Sequence, residues 1–424
     1  MSTITISRSI ENLLKNENKS KNLNVVFISP HFPLYFHNFC RHLKEKGANV
    51  LGIGDADYNS LDKSTKDSLT EYYKVGNLEN FEEVNKACEF FNSKYGDIGW
   101  IESQNEYWLE TEATLRSKFN VDTGTKIEKM APMKYKSKMK EVYKKVGIPV
   151  ARYEFVTEYD KAIAFTKDVG YPIVVKPDNG VGATSTYKLK NDEELAYFFE
   201  TKDNSILYIM EEFICGHVET FDGITDSDKN ILIASSHIML NSIMDCVNEL
   251  SDTAFYSQPI KGSDIEEIGK KIVKGFDTRS RFFHFEFFRL DEDKKGLGKK
   301  GDLIGLEVNM RAPGAYMPDM INYTYDVDVY SIWADMLVND KTSVDIDRKY
   351  FVGYASRRNS INYNYSFEDI INKYKDEILL NVEVPKVLSA AMGNYIFLFR
   401  SKEEKRLKEI MKFILRRSNG ESWI

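Results

Sequence analysis

Residues 305–314 read "GLEVNMRAPG". In a β-strand alternate side chains share a face, so Glu307, Asn309 and Arg311 point one way and Leu306, Val308 and Met310 the other. A half-exposed edge strand has the same alternation, and the segment alone does not separate an edge from a site. The stretch upstream does. "FFHFEFFRL", residues 282–290, is a β-prone aromatic run with a single Glu286, and the turn-rich "DEDKKGLGKKGD" joins it to the first stretch. The two read as an antiparallel hairpin that sets Glu286 beside Glu307 and Asn309. Two carboxylates and an amide oxygen, with no lysine expected among them, are costly to bury without a cation. Oxygen ligands on one surface suit Mg²⁺, or the similar Mn²⁺, with water and phosphate oxygens completing the shell.

A phosphate site is therefore the next expectation. "YPIVVKPDNGVGATSTYKL", residues 171–189, reads as a buried strand ending in a lysine, a loop of glycines and small residues, and a second strand. No helix follows the glycines, so this is neither a Walker loop nor a Rossmann turn. A strand-loop-strand with Gly180, Gly182, Thr184 and Ser185 can still fold over phosphates through its backbone N–H groups. Lys176 stands in an apolar strand, where an unpaired ammonium is expensive and a bound phosphate would relieve it. An ordinary hairpin with a lysine at its edge is the alternative. "YIMEEFICG", residues 208–216, is a strand in which the backbone of Glu212 and Ile214 could read an adenine edge while Met210 and Phe213 supply flat contact; a core strand with two acids fits the same letters.

The chain has 424 residues, 42% of them hydrophobic and 13% aromatic, enough for two to four domains with large cores. A net charge of -7 speaks against a nucleic-acid surface. Cys40, Cys88, Cys215 and Cys246 show neither pairing nor metal-ligand spacing, which predicts reduced, buried thiols. No apolar run approaches a membrane span, and "MSTITISRSIENLLKNENKSKN" lacks a signal peptide's apolar core. The expectation is a cytoplasmic enzyme with a polar leader over residues 1–22.

Residues 23–125 read as a small parallel α/β domain: strand "NVVFISP", helix "LYFHNFCRHLKEKG", strand "NVLGIGD", helix "NFEEVNKACEFFNSKYG" and strand "IGWIES". Gly52 and Gly54 lack the third glycine of a dinucleotide loop and read as turn glycines. A second region runs over 126–345, with a lid at about 150–210. Residues 346–424 read as a last βαβα-like piece whose helices start at capping boxes, Ser366 to Asp369 and Ser401 to Glu404.

Taken in order, "KYKSKMKEVYKKVGIP", "YPIVVKPDNGVGATS", "MEEFICG", "HFEFF" and "EVNMR" resemble the successive motifs of the ATP-grasp superfamily over roughly residues 130–340. The motif order is similar to that of biotin carboxylase and D-alanine:D-alanine ligase, and nearer to the amino-acid and dipeptide ligases. The resemblance implies an α/β ATP-grasp fold with an N-terminal parallel α/β domain and a small C-terminal α/β extension. It implies that Lys136 and Lys176 contact phosphate, that "DNGVGATS" is a mobile lid loop, and that Glu211, Glu212, Phe213 and Ile214 line the adenine. Glu286, Glu307 and Asn309 would then bind Mg²⁺, and Arg311 would face the reacting carboxylate. Two departures stand out. Relatives carry an acid one or two positions after the hinge glycine to hold the ribose; here those positions are His217 and Val218, so Glu219 is assigned the ribose. His284 stands where some ligases have an arginine that stabilises the tetrahedral intermediate.

The activity so implied is activation of a small carboxylate by ATP as an acyl phosphate, followed by attack of an amine, with ADP and phosphate released. A bicarbonate-activating enzyme of the biotin-carboxylase or carbamoyl-phosphate type is the second reading, and a nucleotide-binding protein without ligase activity the third. The acid, the amine and the oligomeric state, a homodimer included, are not legible. Residues 29–33 and 100–108 are expected to border the second-substrate pocket, with Tyr316, Met317 and Asp319 as wall candidates.

Overall fold

The computed structural model describes residues 23–180, 185–241 and 251–419, so the polar leader, Gly182, Thr184 and Cys246 lie outside the described residues. The first sheet grows from short apolar runs. β1 (Asn24–Ile28) is buried at every residue, and with β2 (Asn49–Gly54), β3 (Glu71–Lys74) and β4 (Trp100–Glu102) it forms a parallel sheet of order β3-β2-β1-β4. Parallel neighbours need crossovers, which the expected helices His37–Glu45 and Phe81–Tyr95 contribute. The second starts on Asn80, whose side chain accepts from the Glu82 N–H, and stops at Gly96, φ 86°. Sequence reading missed the short helix Lys63–Ser68 and β3, neither long enough to show a period. β2 and β4 flank β1 on opposite sides, which opens a crevice at the carboxyl ends of β1 and β4.

A second sheet, of order β5-β8-β6-β7, is antiparallel: β5 (Tyr153–Phe155), β6 (Ile173–Pro177), β7 (Tyr187–Leu189) and β8 (Tyr208–Glu212). Ile173, Val175, Tyr208 and Met210 form its covered face, packed with Ala162, Leu195 and Phe198 from the helices Tyr159–Val169 and Asp192–Thr201. The alternate residues Val174, Lys176 and Glu211 are left for the other face.

The third sheet has eight antiparallel strands, β9 (Gly216–Thr225), β10 (Ile231–Met239), β11 (Ala254–Gln258), β12 (Arg281–Leu290), β13 (Leu303–Asn309), β14 (Phe351–Arg357), β15 (Ile378–Glu383) and β16 (Tyr395–Ser401). Their order is β13-β12-β9-β10-β11-β14-β16-β15. The last part therefore differs from the βαβα-like piece expected for 346–424. It contributes three strands, and the register Tyr256↔Gly353 joins them to the sheet that carries the hairpin. The capping box at Ser366 forms with Asp369. At Ser401 it does not: the helix Glu404–Leu415 is entered through Glu403, whose N–H donates to Ser401 Oγ at 3.1 Å. Cys40 and Cys88 are buried as expected, but Cys215 is exposed. Among the described residues no helix is long and apolar enough to cross a membrane.

Candidate active site

The four-stranded sheet and the eight-stranded sheet enclose a cavity of about 490 Å³. Its apolar wall is Val174, Phe213, Ile214, Val218, Met239, Leu240, Phe288 and Leu306. Met210, expected there, is buried in the opposite core, because even positions of β8 face the helices. The polar wall holds Lys136, Lys176, Lys188, Glu211, His284, Glu286, Glu307, Asn309 and Arg311, with Glu106 arriving from the turn after β4.

The hairpin forms as its letters suggest, with His284 opposite Asn309 and Glu286 opposite Glu307. Facing residues in such a pair have Cβ atoms about 4.5–5.5 Å apart, close enough for both carboxylates to share one cation. The strand stops at Asn309, so Arg311 reaches the cavity from the turn beyond it. Between Glu286 and Phe287 the register shifts to Gly305, leaving Leu306 as a bulge; Leu306 and Glu307 consequently both line the cavity.

The expectation that no lysine accompanies these oxygens fails. Lys136 Nζ lies 3.2 Å from Glu307 Oε1 and donates to the Gly180 carbonyl at 2.8 Å. Burial would lower the Lys136 pKa, but Glu307 and Glu106 raise it. Glu307 is pushed up, chiefly by burial and also by Glu106 and Glu286, against the pull of Lys136. A carboxylate whose charged form is disfavoured beside two further acids is a fitting ligand for a divalent cation. With Glu286 and Asn309 it gives three oxygen donors on one surface, the rest of the shell being left to phosphate and water. Glu286 itself is held low, against burial, by His284.

Lys176 is not unpaired either. Its Nζ is 2.8 Å from Glu211 Oε2, and Lys140 Nζ is 2.9 Å from Oε1 of the same carboxylate. Burial pushes Glu211 up, yet the two ammonium groups bring it down to about 2. Glu212 receives the Arg152 backbone N–H on one carboxylate oxygen at 2.7 Å and its guanidinium on the other at 2.8 Å, so both oxygens are engaged within the protein. Lys188 Nζ stands 3.9 Å over the Phe213 ring. The loop after β6 is tied back by Asp178, which accepts from Ser137 N–H at 2.7 Å and Ser137 Oγ at 2.8 Å and so caps the helix Lys136–Lys145. Gly180 and Ser185 flank the loop without lining the cavity, and Thr186 lines it instead.

His284 has a carboxylate at each nitrogen: Nδ1 donates to Asp222 Oδ1 at 2.5 Å, and Nε2 lies 3.2 Å from Glu286 Oε1. Burial lowers its pKa, but Asp222 and Glu286 raise it to about 9, so it is an imidazolium near neutral pH. Asp222 also accepts from Thr220 Oγ1 at 2.6 Å and His237 Nδ1 at 2.9 Å. Neither Asp222 nor His237 was singled out from the sequence.

Glu219, expected at the ribose, does not line the cavity. It is 2% exposed, and Arg289 donates to it twice, at 2.6 and 2.9 Å, and Gln258 donates at 2.9 Å. His217 and Asp291 do line the cavity, His217 Nδ1 lying 3.1 Å from Asp291 Oδ1. Arg311 donates to Glu106 at 2.8 Å, and the Ala312 N–H donates to Gln104 Oε1 at 2.9 Å, so the crevice at β4 meets the hairpin turn. Gln104, two residues past β4, and Ser29, directly after β1, have φ of 55° and 56°. Left-handed backbone is uncommon for such residues and concentrates at functional sites. Tyr316, Met317 and Asp319 do not line the cavity; Tyr316 packs on Tyr35 at 5.2 Å, and Asp319 accepts from Tyr330 Oη at 3.2 Å.

Residues 135–237 match the family described as carbamoyl-phosphate synthase L chain, ATP binding domain. The chain is 28% identical over 259 residues to an L-arginine-specific L-amino acid ligase of Bacillus subtilis, covering 58% of each protein. It is 27% identical over 159 residues to the carbamoyl phosphate synthase large chain of Clostridium perfringens, 37% of this chain and 14% of that one. It therefore spans less than two thirds of either relative. Among solved structures, an L-amino acid ligase from Bacillus licheniformis superimposes with a TM-score of 0.68 at 14% identity, over 92% of this chain and 96% of the other.

Proposed function

The chain has the ATP-grasp fold, and from that premise we propose that it is an ATP- and Mg²⁺-dependent ligase that joins a small carboxylate to an amine through an acyl phosphate. The observation that carries the reading is Glu286 facing Glu307 across the β12–β13 register, with Lys136 beside them at the floor of the cavity between the two antiparallel sheets. Phe213, Ile214 and Met239 supply apolar contact for an adenine, and the backbone of Glu212 and Ile214 its polar edge. Lys136 and Lys176 take the phosphates. Glu286, Glu307 and Asn309 would hold Mg²⁺, which would supply positive charge for the phosphate oxygens.

The substrate carboxylate oxygen forms a bond to the γ-phosphorus as the bond to the β-phosphate oxygen breaks and ADP leaves. Arg311 and the two lysines balance the charge spread over the transferring group. The amine then attacks the acyl carbon, phosphate departs, and the nitrogen loses a proton to give the amide. His284, which lines the cavity with Nε2 3.2 Å from Glu286 Oε1, would turn that N–H to the oxygen that becomes negative in this step. No protein nucleophile is required. Similarity over residues 135–237 to the carbamoyl-phosphate synthase ATP-binding domain favours a second reading, with bicarbonate as the activated acid.

Both are tested by incubating the protein with ATP, Mg²⁺ and pooled amino acids, then adding hydroxylamine, which intercepts an acyl phosphate as a hydroxamate. ADP release with hydroxamate formation is expected. Bicarbonate-stimulated ADP release without hydroxamate would transfer the assignment to the second reading, and AMP as product would overturn the acyl-phosphate route.

A further inference from the structure

Lys140 is a buried ammonium that the proposed chemistry does not use. It is 1% exposed, sits one turn beyond Lys136 on the same helix, and does not line the cavity. It nevertheless shares one carboxylate with Lys176: Glu211 lies between the two, 2.9 Å from Lys140 Nζ and 2.8 Å from Lys176 Nζ. The two lysines are held differently. Lys140 Nζ also donates to the Ala151 carbonyl at 3.4 Å and lies 5.6 Å from the centre of the Tyr153 ring, which fixes its position. Its approach to Glu211 Oε1 is a charge contact at 2.9 Å, without the angle of a directed hydrogen bond. Lys176 ends an apolar strand and faces the cavity.

One lysine would suffice to compensate Glu211. The second is a buried lysine whose charged form burial and Lys176 disfavour against the pull of Glu211, a cost that needs a reason. There is also a cost in the opposite direction. If Lys176 were the sole cation on Glu211, its movement to a phosphate would strip a buried carboxylate of its partner, a strongly destabilising change. A lysine that stays behind removes that obstacle. We infer that Lys140 is a positioning residue, the standing counter-ion of Glu211, which frees Lys176 to engage the phosphates of the nucleotide. The inference rests on the reading of Lys176 as a phosphate-binding lysine. It makes Lys140 matter for a nucleoside triphosphate and not for the nucleoside alone.

Calorimetric titration with adenosine and with a non-hydrolysable ATP analogue plus Mg²⁺ tests it. Lys140→Met should weaken the analogue roughly tenfold or more and change adenosine affinity less than about twofold. Adding Glu211→Gln, which keeps the shape and removes the charge, should restore most of the loss. Equal losses for adenosine and analogue, or no restoration, would overturn the inference and leave Lys140 as a core residue. Should Lys140→Met alone fail to fold, Glu211→Gln against Glu211→Gln/Lys140→Met carries the test: analogue affinity should be the same in both, and a loss in the double variant overturns the inference. Lys176→Met binding the analogue like the unaltered protein would overturn the phosphate reading itself, an outcome read without touching Lys140.

Discussion

On one face of β9 and β12, Glu219 meets Arg289 through two hydrogen bonds, and Arg289 continues to Asp264 at 2.8 and 3.0 Å. On the other face the acids meet lysine or histidine: Glu307 with Lys136, Glu286 with His284, Asp222 with both His284 and His237. What sets Glu219 apart is the guanidinium that holds it twice, beside one ring nitrogen of His217 at 3.3 Å. A guanidinium fork matches a carboxylate in one fixed geometry, whereas an ammonium on four methylenes is a point charge that can turn to another anion. The first face is built to stay as it is. The second holds its acids with groups able to change partner when phosphate and a divalent cation arrive.

The comparison breaks most visibly at Arg289. Arg289→Leu leaves the buried Glu219 with only Gln258 and one ring nitrogen of His217, and should cost about 3 kcal/mol of stability in urea denaturation. The ATP-induced rise in melting temperature should persist; its disappearance would mean that the two faces are not separate.

Glu307→Gln should do the reverse. Turnover at saturating Mg²⁺ is expected to fall about 100-fold, about 2.7 kcal/mol of barrier. The folded state disfavours the Glu307 charge, chiefly through burial, so this acid binds its proton more tightly folded than unfolded and lowers stability as pH rises. The melting temperature of the variant at pH 8 should therefore equal or exceed that of the unaltered protein. A drop of several degrees would make the hairpin carboxylate structural.

The smallest effect sharpens the contrast. Burial pushes Glu219 up, but His217, Arg289 and Gln258 take it down to about 2, from an ordinary 4.5. A depressed acid contributes stability that is complete above about pH 4.5 and fades as pH falls toward about 2. With water reaching the Arg289 side, that contribution is about 1 kcal/mol. Glu219→Gln should therefore flatten the acid limb of the stability profile between pH 5 and pH 3, as followed by circular dichroism.

Local patterns were legible in the sequence where they sufficed. The hairpin could be read because an aromatic run, a turn-rich insert and an alternating strand are contiguous, and contiguity fixes pairing. The parallel strands β1, β2 and β4 were legible for a similar reason. Glu219 does not line the cavity although His217, two residues before it on the same face of β9, does; Glu219 is instead engaged by Arg289 and Gln258, partners 70 and 39 positions away that no local pattern reveals. Lys140 was invisible in "KSKMKEVYKK", which has the composition of a solvated helix face, whereas in the structure Lys136 and Lys140 are both buried. The joining of β14 to β11 rests on pairing about a hundred residues apart, for which short-range patterns hold no information.

The bulge at Leu306 acts as a phase slip in the hairpin. Ahead of it, even-numbered Ile304 opposes Phe288 beneath the cavity; after it, odd-numbered Glu307 and Asn309 oppose Glu286 and His284 on that same side. One uncounted residue thus converts the parity suited to a greasy floor into the parity suited to oxygen ligands. It also divides the segment into parts with different tolerance to drift. The connecting run past Asp291 can change length without altering the Glu286, Glu307 and Asn309 set, while the spacing from Leu306 to Asn309 is locked to the chemistry like a reading frame.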